Sequence, residues 1–405
     1  MGLFSSIYTG LSGLVAFSKG LNVISNNVTN INTPGFRGSD ILFRDLLYKQ
    51  GIGVNTDTEG QEQIGQGVAT RDTRLRTTPG DIQETRGQTD AAINGNGFFL
   101  LRDQSNTFLT RVGQFEFNDD GILVDSASGL SVVALNSGAA QGNIDIGDFR
   151  ISPPTATTEI LLENNLSTGS TDHTIDNVEV VDANGGRQVL EIRFINNASV
   201  LAGSWLVEVR DATGAVIDSG DEVRFQANGT PASAFNTVEF TLSPANTPAS
   251  QITINLGDPG AFGAVTSFSS GSTSNTAVRS QDGVALGSVL NVAIAVNGEV
   301  VANYTNGETA TIGQIALASV ATDADLQPVR DALFTVADFS ALEIGEGGSV
   351  GFGQILGGSI EASNVELSEE FTDLIIVQRG FQSSSQVLSV SNEMVEQLLE
   401  MDSRR

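Results

Sequence analysis

The stretch Ile24-Ser25-Asn26-Asn27-Val28-Thr29-Asn30-Ile31-Asn32-Thr33-Pro34-Gly35-Phe36-Arg37 reads as the end of a helix followed by the device that stops it. Ile24, Val28 and Ile31 keep the three- and four-residue spacing of one helical face. The chain then meets Asn32-Thr33-Pro34-Gly35, where proline and glycine cannot continue a helix. Upstream, Ile7, Leu14, Leu21 and Val28 recur every seven residues. Phe17, Ile24 and Ile31 form a second row three positions on, and Phe4 and Leu11 extend the face. A helix with one apolar seam needs something to cover it.

The far end of the chain carries a second seam. Leu367, Leu374, Phe381, Leu388 and Val395 make an unbroken heptad row, widened by Phe371, Val377, Leu398 and Leu399 and interrupted by Gln378, Ser385 and Asn392. Ser368 before Glu369 and Glu370 reads as an N-cap with acids in the first turn, and Arg404 and Arg405 suit the C-terminal dipole. Two seamed helices, about 1–32 and 366–401, are expected to pair as a coiled coil, with each other or with neighbouring copies. Two ordinary amphipathic helices packed on a sheet fit the same pattern.

Between the ends the sequence alternates. Val189–Ile195 puts Leu190, Ile192 and Phe194 on one face, and 205–210, 238–242 and 252–256 behave likewise. Asp120-Gly121, Asn184-Gly185, Asn228-Gly229, Asn297-Gly298 and Asn306-Gly307 are hairpin dipeptides whose first residue tolerates positive φ. The expected fold is mainly β with terminal α-helices, the middle being antiparallel sandwich or barrel domains. Ser152-Pro153-Pro154 and the Gly/Ser/Thr-rich stretch from Ser267 to Thr276 mark plausible boundaries. The expected division is a helical domain and linker (1–70 with 360–405), an inner β domain (71–150 with 285–359) and an inserted outer β domain (151–284).

Composition removes most chemistries. The 405 residues include 20 basic and 48 acidic side chains, a net charge of −28, with 45 glycines, no cysteine and a single histidine, His173. Thiol nucleophiles and thiolate metal sites are absent, and a histidine-based zinc site or serine triad would rest on one residue. A polyanion of this size repels nucleic acid and anionic lipid. No run approaches the roughly 18 apolar residues of a membrane span, and Met1–Ser6 has no basic n-region, so a cleaved secretory signal is not expected. Residues 151–284 hold 15 acids and 5 bases, whereas residues 1–80 hold 6 acids and 7 bases. The acidity therefore belongs to a solvated middle.

No catalytic, cofactor or metal site emerges. Asn94-Gly95-Asn96-Gly97-Phe98 lacks the third glycine and following helix of a dinucleotide loop and reads as a turn entering a strand. Asn118-Asp119-Asp120-Gly121 lacks the downstream glutamate of a calcium loop and reads as a hairpin. His173, between Asp172 and Asp176, reads as a solvated loop residue without a nucleophile elbow. Arg71, Arg74 and Arg76 read as a solvated strand face or an intersubunit ion-pair strip.

The helix stop Asn26-Asn27-Val28-Thr29-Asn30-Ile31-Asn32-Thr33-Pro34-Gly35-Phe36 resembles the signature of the flagellar axial proteins, the rod and hook family. The C-terminal Asn364-Val365-Glu366-Leu367-Ser368-Glu369-Glu370-Phe371 and Gln378-Arg379-Gly380-Phe381-Gln382 resemble its partner signature. Ala92–Phe99 and Thr110–Phe115 are similar to the family's first β domain, and Gly313–Ala318 to the strand by which hook members return to it. Leu42–Tyr48 and the linker to Gly67 are similar to distal rod members. The resemblance implies a structural, non-enzymatic subunit of the hook, a hollow curved tube acting as a flexible joint that passes motor torque to the filament. A distal rod subunit is the alternative within the family; a secreted β-rich adhesin is the alternative outside it. The implied partners are copies of the chain, other axial proteins (rod, hook cap, hook-filament junction) and the flagellar type III export machinery, with no cofactor, nucleic acid or membrane insertion. The implied location is the extracellular flagellar hook and basal body. The implied assembly surface is Ile7, Leu11, Leu14, Leu21, Ile24, Val28 and Ile31 with Leu367, Phe371, Leu374, Phe381, Leu388, Val395 and Leu399.

Overall fold

The structure, a computed structural model, describes residues 3–46, 49–50, 63–64, 67–103, 106–136, 138–320, 326–339 and 342–403. The chain forms two compact units. One comprises Met1–Gly147, Val292–Val301 and Thr311–Arg405; the other comprises Asp148–Asn291 and Ala302–Ala310.

The first unit contains both helices, α1 (Leu3–Thr29) and α2 (Leu367–Ser403). They run antiparallel: Gly10 lies against Ser384 and Leu388, Phe17 against Gly380, Gly20 against Val377, and Asn27 against Glu370. The contact is built on small residues. A Cβ on Gly10 would stand 3.3 Å from the Ser384 carbonyl oxygen, and one on Gly380 2.5 Å from the Phe17 ring. Interaxial distance follows the side chains at the contact, so glycines let the helices approach closely. α1 unwinds through Asn30 N–H to the Asn26 and Asn27 carbonyls and Thr33 N–H to the Asn30 carbonyl. Gly35 then turns the chain at φ +66°, where an added Cβ would meet the Val112 nitrogen at 2.8 Å. The stop is thus positional, since only glycine combines that φ with so near a neighbour. α2 begins at Leu367, so the expected cap Ser368 lies inside the helix, where its carbonyl accepts from the Thr372 hydroxyl at 2.9 Å. Arg404 and Arg405 lie outside the described residues.

Below the helices, Ser39–Asp45 pairs antiparallel with Val68–Leu75 and sets Phe43 on Phe17, ring centroids 5.7 Å apart. The main sheet of this unit carries Phe98–Asp103 between Asn106–Thr110 and Ser131–Asn136, with Leu123–Asp125 and Phe115–Phe117 beyond. Leu317 pairs with Phe99 and Ala318 with Phe98, so the returning strand closes on the first one. Leu100, Leu109, Val133, Ala316, Ala318 and Phe334 are buried together between these strands. The segment Asn94–Phe98 is the expected turn entering a strand, with Gly95 and Gly97 at φ +125° and +122°. Asn118–Gly121 is the expected hairpin, joining Phe115–Phe117 to Leu123–Asp125.

The second unit has a four-stranded meander, Asp172–Val181, Arg187–Asn196, Ser204–Asp211 and Val216–Arg224. It also has a five-stranded sheet built on Glu159–Asn165. Leu190, Ile192, Phe194, Trp205 and Val207 from the meander join Ile160, Leu162, Val238, Phe240 and Ile254 in one buried cluster. Each such side chain contributes about 1.5–3 kcal/mol of burial. The antiparallel expectation holds for the meander and only in part for the second sheet, which is mixed. There Glu159–Asn165 pairs in parallel with Ser250–Asn255 and with Val265–Thr266. Parallel pairing needs a long crossover, and the intervening meander supplies it. Ser267–Thr276 is not a boundary. Asn165 and Ser167 bind it through Phe268, Ser270, Gly271 and Ser274, inside the unit.

Candidate assembly site at the junction of the two helices

Where α1 ends and α2 begins, polar side chains converge in a buried position. Asn27, 1% exposed, donates from Nδ2 to the Ser39 carbonyl at 2.9 Å and to Glu370 Oε1 at 3.1 Å. Its Oδ1 accepts from Ser39 N–H at 3.0 Å. Arg76 approaches Glu370 Oε1 at 2.8 Å and Asp40 Oδ1 at 2.7 Å, with Glu369 at 3.5 Å. Burial works against the Arg76 charge, but the hydrogen bond and charge of Asp40 together with Glu370 and Glu369 outweigh it and hold the guanidinium above its ordinary pKa. Burial pushes the Glu370 carboxyl up, and Asp373 adds to the effect; the bonds from Asn27 and Arg76 only partly offset it.

One layer down, Glu361 sits between two arginines. Its Oε1 lies 2.8 Å from Arg37 Nη2 and its Oε2 3.1 Å from Arg111 Nη1, all three side chains almost fully buried. Oε1 also accepts Gly80 N–H at 2.9 Å, and the Glu361 carbonyl accepts Gly35 N–H at 2.8 Å. Asn364 completes the belt, accepting Gly38 N–H at 2.8 Å and donating to the carbonyls of Thr78 and Arg76. Four stretches distant in sequence, 27–40, 76–80, Arg111 and 361–370, are thereby fixed in register. Removing one member of such a buried network costs more than its net worth, because its partners stay desolvated.

Of the expected assembly residues, Ile24 is buried, and Ile7, Leu14, Leu21, Val28, Ile31, Leu374, Leu388 and Val395 are half-buried. Leu11, Leu367, Phe371, Phe381 and Leu399 are exposed, as are Ile375, Ile376, Val387 and Leu398. The large apolar rows therefore flank the helix contact, and the glycines occupy its centre. In the expected stop, Asn27 and Gly35 are buried, Pro34 and Phe36 half-buried, and Asn26 and Asn32 exposed. Asn30 caps its own turn by donating to the Asn26 carbonyl. The sequence marks Glu370 only as a first-turn acid and Arg76 only as one of three nearby arginines, and it gives no sign of Glu361. The one available signal was an acid-rich first turn facing a chain with few bases.

Arg71, Arg74 and Arg76 divide: the first two lie on an exposed strand and the third turns into the junction. His173 belongs to a strand rather than a loop, its Nε2 2.7 Å from the Thr276 carbonyl oxygen. Among the described residues, no group of three or more histidines, aspartates and glutamates gathers to hold a metal, and no helix is long and apolar enough to cross a membrane.

Two paired terminal helices enclosing long β insertions, with the junction at the Asn-rich stop, match three family models in order. Residues 7–37 match the flagella basal body rod protein family, 92–168 the D1 domain of the flagellar hook protein FlgE/F/G family, and 356–401 the C-terminal region of the flagellar basal body rod FlgEFG proteins. Over these three stretches the chain is similar to the flagellar rod and hook family. Within it, the similarity to hook proteins is end to end. The flagellar hook protein FlgE of Borreliella burgdorferi is 28% identical, over 98% of this chain and 100% of that protein. That of Treponema pallidum is 29% identical over 98% and 100%, and that of Escherichia coli 27% over 96% and 98%. The crystal structure of the Helicobacter pylori flagellar hook protein FlgE2 aligns with 67% of this chain and 98% of its own, at TM-score 0.43 and 13% identity.

Proposed function

We propose that the chain is the structural subunit of a flagellar hook, a polymer that transmits motor torque to the filament as a flexible joint and performs no catalysis. The observation that carries the reading is the pair of helices whose shared contact is already filled by small residues while Leu11, Phe371, Ile376 and Leu399 stay exposed. Large apolar side chains left exposed along paired helices mark an interaction surface. In the polymer, α1 and α2 form an inner coiled-coil layer and cover these rows with the helices of neighbouring copies. The segments 1–70 and 360–405 make that layer, 71–150 with 285–359 an inner β domain, and 151–284 an outer one whose acidic surface faces water. Other axial proteins meet the ends of the tube, and the chain reaches the hook through the flagellar type III apparatus.

Deletion of residues 1–31 and 366–405 should leave a soluble folded β core that forms no tubes; tubes formed by that fragment would refute the role of the helices. The distal rod shares the helical family models, and electron microscopy of the polymer separates the two. A curved tube is expected, and a straight rigid one would assign the chain to the rod.

A further inference from the structure

The second unit exposes an aromatic pair that its own core does not use. Phe262 and Phe268 are 62% and 47% exposed and stack nearly parallel, centroids 6.3 Å apart at 10°. Their position is fixed. Gly229 presents bare backbone at φ +80°, where a Cβ would meet the Phe268 ring at 2.6 Å. Ser267 N–H donates to the Gly229 carbonyl, and Gly260 N–H to the Pro231 carbonyl. Beside the pair stands Arg279, exposed, with Nη1 3.4 Å from the Gly263 carbonyl oxygen. Arg187, Arg193, Arg210 and Arg224 each hold a carboxylate; among the described residues Arg279 holds none. Two exposed rings and an uncommitted guanidinium make a corner suited to an acidic surface with some apolar content.

The same unit carries such a surface. Val216–Arg224 is the edge strand of the meander, pushed out of register opposite Val207–Arg210 and turned at Gly220, φ +101°. It presents Asp218 and Asp221 beside Val216, which is 51% exposed. Neither aspartate has a cationic partner among the described residues. Burial and the Asp221 charge push the Asp218 carboxyl up, so a cation there would be welcome.

We propose that the Phe262–Phe268–Arg279 corner of one copy docks on the Asp218–Asp221 edge of the same unit in a second copy. The proposal rests on the polymer function above. The two patches are different surfaces of one chain, so their contact is heterologous, and a heterologous contact that does not close on itself generates an open helical array. The patches are small and one half is charged, which gives a weak, salt-sensitive contact.

The test places p-benzoyl-phenylalanine at Phe262 in the full chain, where the ring is largely exposed, and at Phe371 on α2 in a second sample. Irradiated polymer should give an intermolecular product from position 262 that maps by mass spectrometry to residues 216–224. Asp218→Asn with Asp221→Asn should lower its yield about tenfold, the effect of one lost charge-assisted bond. No product from 262, or a product mapping elsewhere, in polymer that crosslinks through 371 would overturn this contact and leave the hook subunit intact. No product from either position would remove both.

Discussion

The side-chain amide of Asn27 donates to the Glu370 carboxylate at 3.1 Å, joining residues 343 apart in the chain. Asn27 can do this because it also exchanges hydrogen bonds with Ser39, which hold its amide in one orientation. Asn27→Ala strands the backbone groups of Ser39 and one side of Glu370 in a buried place. The expected loss is about 3 kcal/mol, from two or three groups left unsatisfied. Equilibrium denaturation of the monomer measures it, and a change below about 0.5 kcal/mol, the level of an ordinary surface substitution, would make Asn27 a bystander.

Glu370 gives a pH signature. Its folded pKa is raised above the ordinary 4.5, so the folded state holds its proton more tightly than the unfolded chain does. The stability it contributes is complete below 4.5 and is lost as pH rises through the folded value. Glu370→Gln keeps the shape and has no proton to lose. The stability difference between parent and variant should therefore shift in the variant's favour as pH rises from 4 towards neutrality. A difference independent of pH would show that Glu370 titrates normally.

Glu361→Gln leaves the Arg37 and Arg111 guanidiniums buried without the carboxylate they share. Breaking a buried pair from one side costs about 3–5 kcal/mol. Thermal unfolding should fall accordingly, and should fall far less in Arg187→Ala, whose pair with Glu179 is largely exposed.

Two helix glycines should respond differently to alanine. In isolation each gains about 1 kcal/mol of helix propensity. At Gly13 the new Cβ meets the Ser384 hydroxyl, which can rotate away, so Gly13→Ala should be neutral or stabilising. At Gly380 it meets the tip of the Phe17 ring at 2.5 to 2.9 Å, and that ring is held by Phe43, so Gly380→Ala should push the helices apart and lower stability. Far-UV circular dichroism with denaturation distinguishes the pair; equal effects would contradict the close approach.

Much of this was legible in the residues because their signals are local. The Asn32–Gly35 stop, the alternation of Leu190, Ile192 and Phe194, and the Asn-Gly turns each depend on neighbours in sequence. The heptad rows located both helices and include Ile24 and Leu388 at their contact, but hydrophobic periodicity weighs large residues and does not register the stripe of Gly10, Gly13 and Gly20. The parallel pairing of Glu159–Asn165 was hidden because alternation gives a strand's faces but not its neighbours. Glu361 and Arg111 lie 250 residues apart, and only the three-dimensional path brings them together. Among 48 acids Glu370 stands out only as part of an acid-rich first turn, and nothing marks Glu361.

The glycine-lined contact of α1 with α2 also fixes an order of events. Ribosomes add about 5–20 residues per second, so α1 exists for roughly 20 to 70 s before residue 370 is made. Throughout that interval its small-residue face has nothing to close on within its own chain. The last tenth of the polypeptide acts as a latch, and until it arrives the junction stays open to whatever else in the cell can occupy it.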